Sequence, residues 1–318
     1  MKRVLVCGAT GFIGRNLAER FVRHGGYQVT AVCNRRPPFE LPGLRWENAD
    51  LTDSAQAARV VRNTDFLIQA AATTSGAAEI AARPYLHVTD NAVMNSHIFR
   101  AAFENRVEHV IFFSCSIMYG SSDAPLAETD FDPRTGPGPQ YFAAGWTKVY
   151  LEKMCEFYAG MSGAKYTVIR HSNVYGPHDK FDLERSHVTG ATITKVMTAR
   201  DGRVTVWGNG EETRDLLYVD DLADFVERAL ERQPGRFGLY NCGWGMPVSV
   251  GALVRKIVEK SGRRVSVVYD PARPTIKTNI HLDCSKAERE LGWRANTSLD
   301  DGIARTIEWW RQNVGTDL

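Results

Sequence analysis

The chain lacks paired cysteines, long apolar runs and any excess of charge of one sign. Its six cysteines, Cys7, Cys33, Cys115, Cys155, Cys242 and Cys284, form no CxxC pair, which argues against a zinc site or a disulfide framework and predicts reduced, mostly buried thiols. Apolar runs such as Val110 to Phe113 are strand-sized, far short of the ~20 residues a membrane span needs. The amino terminus enters an apolar strand at once, without a signal-peptide layout, so a cytoplasmic protein with no membrane partner is expected. The 39 Lys and Arg residues nearly balance 37 Asp and Glu, so no broad surface field favours nucleic acid or an anionic membrane. Any bound anion must be held locally. With 318 residues, 43% of them hydrophobic, the chain can bury one large core or two smaller ones without staples.

What is present is an alternation. Short β-branched runs at Val4–Cys7, Tyr27–Cys33, Phe66–Ala70, Val110–Ser114 and Tyr166–Arg170 are separated by helical patterns at Phe12–His24, Val88–Glu104 and Gly145–Gly160. That rhythm predicts βαβ units and an α/β, doubly wound parallel sheet of the Rossmann type. A dinucleotide-binding domain is expected over 1–176, with a return to the sheet around 212–242 through a helix Asp220–Arg232 and a strand Leu239–Asn241. A smaller, discontinuous substrate lobe is expected over 177–211 and 243–318. It would hold a helix Ser186–Arg200, a strand Val204–Trp207, a helix opening near Ser249 and a closing helix Leu299–Val314. The strongest break is the loop Asp130–Gln140, rich in Pro and Gly.

The loop Gly8-Ala9-Thr10-Gly11-Phe12-Ile13-Gly14 follows the first strand and opens the first helix. Glycines at this spacing allow a tight turn and close backbone approach to a pyrophosphate, which meets the free N–H groups of the helix start. The second strand ends Val32-Cys33-Asn34-Arg35-Arg36, with no carboxylate for a ribose 2′-hydroxyl and two guanidiniums where a 2′-phosphate would sit. NADP(H) is therefore favoured over NAD(H).

Further motifs carry a resemblance. They are Asp50-Leu51-Thr52-Asp53, Ala70-Ala71-Ala72, Asn91, Ser114-Cys115-Ser116-Ile117-Met118-Tyr119-Gly120, Arg170-His171-Ser172-Asn173-Val174-Tyr175-Gly176-Pro177, Tyr218-Val219-Asp220-Asp221-Leu222 and Glu290-Leu291-Gly292-Trp293. With these, nearly the whole chain resembles the extended short-chain dehydrogenase/reductase family of nucleotide-sugar epimerases, dehydratases and ketoreductases. Within it, the segment from His178 to Ser186-His187-Val188 and the run Val206-Trp207-Gly208-Asn209-Gly210 look most like the GDP-L-fucose synthase branch. The resemblance implies that Asp50, Leu51, Ala70, Ala71, Ala72, Asn91 and Val174 line the cofactor along with the glycine loop. It also implies a homodimer built on the helices Val88–Glu104 and Gly145–Gly160.

The family's catalytic pair is Tyr-x-x-x-Lys, in which the ammonium lowers the pKa of a phenol one helical turn away and the phenol exchanges a proton with the sugar. Lys148 fits the lysine by its spacing to Glu152, and four positions earlier stands Ala144, which cannot exchange a proton. Tyr141 lies seven residues before Lys148, about 10 Å along a helix axis at 1.5 Å per residue, a poor direct substitute that could border the substrate. The family's hydroxyl partner, four places before Tyr119, is Cys115 here, with Ser116 as the adjacent hydroxyl. Cys115 is either a proton donor or an inert buried thiol. Fucose synthases also use a cysteine two places before that tyrosine, where this chain has Ile117, and a histidine that is present as His187. For the substrate, Arg214 is the leading diphosphate ligand, Lys195 and Lys277 are second choices, Asn173 and Val188 match substrate positions, and Trp207 either stacks near the base or fills core.

Three readings follow. The first is an NADP(H)-dependent 4-ketoreductase or epimerase of an NDP-hexose, with a GDP-hexose foremost, in which Lys148, Cys115 or Ser116, and His187 replace the phenol. Its neighbouring alternative is a 4,6-dehydratase or C4-epimerase using tightly bound NAD. The second is the same enzyme inactivated by an introduced Ala144, although Cys115 and Ile117 also leave the family pattern and favour a native departure. The third is a regulatory protein that kept the dinucleotide site and lost the chemistry.

Overall fold

A computed structural model describes residues 1–73, 83, 85–183, 186–273, 275 and 278–315, apart from the side chains of residues 86 and 87. The first strand, β1 (Lys2–Cys7), pairs in parallel with β2 (Tyr27–Cys33) on one side and β4 (Phe66–Gln69) on the other. With β3 (Leu44–Asn48), β5 (His109–Phe113), β6 (Lys165–His171) and β10 (Phe237–Cys242) they make a seven-stranded sheet in the order β10-β6-β5-β4-β1-β2-β3. Every pairing in it is parallel, as the doubly wound reading requires. The strand order reverses between β1 and β4, and the glycine loop leaves β1 at that point.

Helices cover both faces. On one, α1 (Phe12–His24) and α6 (Val219–Arg232) bury Leu17, Phe21, Leu222 and Phe225 against β1, β2 and β10. On the other, α2 (Ser54–Val61), α3 (Tyr85–Glu104) and α4 (Phe142–Met161) bury Val61, Phe99, Leu151 and Cys155. Asp53 caps α2 by accepting from the backbone N–H groups of Ala55 and Gln56 at 2.9 and 3.0 Å.

A second core lies beyond Ser172. There β7 (Asn173–Tyr175), β9 (Thr213–Tyr218) and β11 (Pro247–Ser249) make a three-stranded sheet, and β8 (Arg203–Trp207) pairs with β12 (Ser266–Asp270). They enclose a cluster of Ile193, Val254, Ile257, Ile307 and Trp310 with α5 (Val188–Thr198), α7 (Val250–Ser261) and α9 (Leu299–Asn313).

The structure departs from the expected boundaries in informative ways. The segment around 212–242 returns to the large sheet through β10 alone, because β9 pairs with β7 and β11. Conversely α8 (Ser285–Leu291), inside the expected second lobe, packs Ala287, Leu291 and Trp293 into the first core. The strand β5 ends at Phe113, one residue early, and α4 begins three residues early at Phe142. A turn of 3₁₀ helix, Pro139–Tyr141, leads into α4. Gly145 is needed there: a Cβ on it would stand 2.6 Å from Pro137 Cβ, so only glycine lets the Pro-rich loop cross the helix.

One buried ion pair joins these elements behind the site. Glu152 on α4 and Arg170 on β6 have side chains 5% and 4% exposed and meet at 2.6 Å. Glu152 Oε1 also accepts from Ser114 Oγ at 2.5 Å. Arg170 donates to the Tyr119 hydroxyl at 2.9 Å and the Glu128 carbonyl at 3.1 Å, and Tyr119 in turn donates to Asn241 Oδ1 at 2.8 Å. Removing one partner would leave a bare charge in the core, so Glu152→Ala should lower unfolding free energy by about 3–5 kcal/mol, measured by chemical denaturation. A loss below about 1 kcal/mol would show that water or Glu128 compensates Arg170.

Candidate active site

The glycine loop is shaped for close approach. Gly8 has φ +73°, and a Cβ there would stand 2.6 Å from Ala71 Cα, so the turn sits directly on the chain leaving β4. A Cβ on Gly14 would collide with the Gly8 carbonyl. Gly11 caps α1 with no side-chain hydrogen bond, and the first turn carries no acid, so its N–H groups face the loop uncapped by any side chain. These features fit a dinucleotide pyrophosphate, with Gly8, Thr10, Gly11, Phe12, Ile13 and Gly14 in the cradle, Ala70 and Ala71 beneath Gly8, and Ala72 exposed beyond them.

Around the cradle the expected cofactor residues take different places. Asn34, Arg35 and Arg36 are exposed past the end of β2, and Arg36 reaches back toward the Thr10 carbonyl at 3.5 Å. Asp50 accepts from the Thr52 hydroxyl at 2.7 Å and its N–H at 2.9 Å; these bonds, with a smaller contribution from Arg35, lower its pKa. Leu51 is buried in the second-face core. Asn91 bridges the loop after β4, accepting from Thr73 N–H and donating to Thr73 O, each at 3.0 Å, so its amide shapes the cradle wall. Val174 is 8% exposed and belongs to the first core.

The ends of β5 and β6 bring the catalytic candidates together. Lys148 Nζ donates to the Phe113 carbonyl at 2.6 Å and lies 4.8 Å from the Phe112 ring centre. Burial lowers its pKa, with Cys115 acting in the opposite direction. Cys115 is half-buried while Ser116 is buried, its N–H held by the His171 carbonyl at 3.1 Å. Burial raises the pKa of the Cys115 thiol, and Lys148 pulls it down. Ala144 stands one turn before Lys148 on α4. Tyr141 is the amino-terminal cap of α4, and burial raises its pKa; Arg214 and Cys115 both act on its phenol.

Across from them stand the substrate candidates. His187 caps α5 and is open to solvent, yet the surrounding protein and Lys180 lower its pKa. Val188 begins α5 and packs on the second core. Asn173 donates to the Asp215 carbonyl at 3.3 Å. Arg214 is held by the Thr213 carbonyl at 2.7 Å and the Thr278 hydroxyl at 3.3 Å. Trp207, 50% exposed, has Lys195 and Arg273 each 5.6 Å from its ring centre, so it is a flanked surface ring and not core filler. Lys277 lies outside the described residues. Sequence reasoning passed over Lys180, Arg273 and His171; the last was in plain view inside the Arg170 to Pro177 motif.

The model of the NAD dependent epimerase/dehydratase family matches residues 4–243. The chain belongs to this family. GDP-L-fucose synthase of Sinorhizobium fredii is 31% identical over 98% of the chain and 96% of its own length, and that of Escherichia coli is 28% identical over 98% and 97%. UDP-glucose 4-epimerase of Thermotoga maritima, solved with UDP-glucose, superposes with a TM-score of 0.86 at 27% identity over 98% of this chain and 99% of that one. An epimerase/dehydratase family member is thus a nicotinamide-dinucleotide protein whose relatives act on nucleotide sugars.

Two predictions follow from this geometry. Lys148→Met should weaken dinucleotide binding about tenfold or more, read by fluorescence titration, with the melting temperature nearly unchanged; equal affinity would remove the lysine from the cofactor's surroundings. Asp179, buried beside the Lys180 N–H it accepts from at 2.7 Å, has its pKa pushed up to about 7, mainly by burial. The folded state then holds a proton the unfolded state has released, so stability falls as pH rises from about 4 to about 7. Asp179→Asn should flatten that decline in pH-dependent denaturation and be the more stable protein at pH 8.

Proposed function

We propose that this family member is an NADP(H)-dependent 4-ketoreductase or epimerase of a nucleotide-diphosphate hexose, with a GDP-hexose foremost, working without the usual phenol. One observation carries the reading: Lys148 is anchored at the end of β5 with the partly exposed Cys115 thiol coupled to it. A site that had decayed would be under no constraint to keep a half-buried cation beside that thiol. The bound dinucleotide would supply hydride to, or take it from, a ring carbon of the sugar. Lys148 holds ribose hydroxyls and a positive field. Cys115, whose pKa burial raises, stays protonated near neutrality and donates to the sugar oxygen. His187 and Lys180 line the far side of the hexose, Arg214 grips the diphosphate, and Trp207 offers a face to the base.

The cofactor preference rests on Arg35 and Arg36 and the missing acid at Asn34. The second reading, an epimerase or dehydratase with NAD, draws on solved relatives such as one holding UDP-glucose and NAD. A homodimer fits Phe142, Tyr150, Phe157 and Met161, which stand exposed along α4.

Titration with both dinucleotides should show NADPH binding at least about tenfold tighter than NADH, and Arg35→Ala with Arg36→Ala should erase that difference, about 1.4 kcal/mol or more. Tighter NADH binding selects the second reading. Turnover of a GDP-4-keto-6-deoxyhexose with NADPH should fall by about 10²–10⁴ in Cys115→Ala. It should also fall in Ala144→Tyr, because the added ring crowds a pocket built around a methyl group. A rise with tyrosine and no loss with Cys115→Ala would refute the thiol mechanism.

A further inference from the structure

The carboxyl end of β6 carries a second imidazole, His171, within electrostatic reach of Lys148 and His187. Residues alternate along the strand, so His171 leaves it on the face opposite the Arg170–Glu152 pair. Its Nδ1 lies 2.8 Å from the Ser172 carbonyl oxygen. A carbonyl only accepts, so Nδ1 carries the proton and Nε2 keeps its lone pair. The ring packs 6.3 Å from the ring centre of Phe113, the residue whose carbonyl anchors Lys148 at 2.6 Å. Its own carbonyl accepts from Ser116 N–H at 3.1 Å, tying it to the loop that carries Cys115.

The groups around it are mostly donors. Lys148 is a cation held by a carbonyl, and burial keeps protons on both the Cys115 thiol and the Tyr141 phenol. Burial, Lys148 on α4 and His187 before α5 together push the pKa of His171 down to about 4, while the Ser172 carbonyl opposes them. At neutral pH the ring is uncharged and its Nε2 is bare.

We propose that His171 Nε2 is the proton acceptor of this site, so that oxidation of a sugar hydroxyl lies within the chain's chemistry alongside ketone reduction. The inference rests on the nucleotide-sugar reading above. Nε2 takes the hydroxyl proton while the neighbouring C–H electron pair leaves as hydride to the oxidised nicotinamide. The O–H and C–H bonds break, an N–H bond forms on His171, and the carbon–oxygen bond becomes a carbonyl. The sugar is oxidised and the nicotinamide reduced.

The test compares the unsubstituted chain with H171N, whose amide can keep the bond to Ser172 but offers no base, and with H171Q. Nitrogen-15 NMR of histidine-labelled protein, assigned by loss of the signal in H171N, should show the Nδ1–H tautomer, with Nε2 shifting when an NDP-hexose binds. An Nε2–H tautomer overturns the proposal. Oxidation of the NDP-hexose should fall by about 10²–10⁴ in kcat for both variants, with KM and dinucleotide affinity within about threefold. A kcat within about threefold of the parent overturns it, as does a kcat loss matched by an equal loss of dinucleotide affinity, which would mark a structural role. If the unsubstituted chain binds dinucleotide but neither binds nor turns over any NDP-hexose, the functional reading falls and takes this inference with it. Turnover by the parent with no loss in H171N sinks this inference alone.

Discussion

The pair Glu152–Arg170 fixes how α4 lies on the sheet, and the geometry of the site follows from that. Glu152 stands one turn after Lys148, so pinning its carboxylate to β6 and to Ser114 sets the height and rotation of the lysine. Both charges are almost wholly removed from water, an arrangement tolerable only because nearly every donor and acceptor is matched. The matching extends through Tyr119 and Asn241 to the Leu126 and Asp283 carbonyls, at 2.7 and 3.1 Å, and so ties the loop after β5 to β10 and the chain before α8. A network of this kind holds one face of the site rigid while the other face, on the second core, is free to carry substrate contacts.

Few polar groups share the ends of β5 and β6. The Lys148 ammonium is anchored by the Phe113 carbonyl, and the Cys115 thiol and the His171 imidazole lie within its electrostatic reach. The helix geometry that made Tyr141 look distant assumed a continuous α-helix. The chain instead enters α4 through a 3₁₀ turn, and its phenol comes under the influence of Cys115 and Arg214. Cys115 and Ser116 differ in exposure for the same kind of reason: β5 ends at Phe113, and the following turn buries the serine and leaves the thiol half-buried.

Elements with strong internal periodicity were legible in the sequence. Phe12–His24 and Tyr27–Cys33 are found at the residues expected, because a buried face repeating every three to four residues, or a β-branched run, is written locally. Leu44–Asn48, with one strongly β-forming residue among Leu-Arg-Trp-Glu-Asn, was not, since an edge strand takes its conformation from the neighbour it pairs with. The strand Thr213–Tyr218 was not foreseen either, since its first half, Thr-Arg-Asp, is polar, and it joins β7 and β11 in the smaller sheet.

The sequence by itself determined the class of fold and the dinucleotide loop, because each is a matter of residue type at fixed spacing: an alternating pattern, and three glycines after a strand. Only the tertiary structure decided which polar groups share the site. His171, Cys115 and Lys148 are brought together by parallel pairing of β5 with β6 and by α4 lying across their ends, and His187 reaches them from the start of α5. Electrostatic strength there depends on distance and burial, quantities set by how separate segments pack and invisible in the order of residues along the chain.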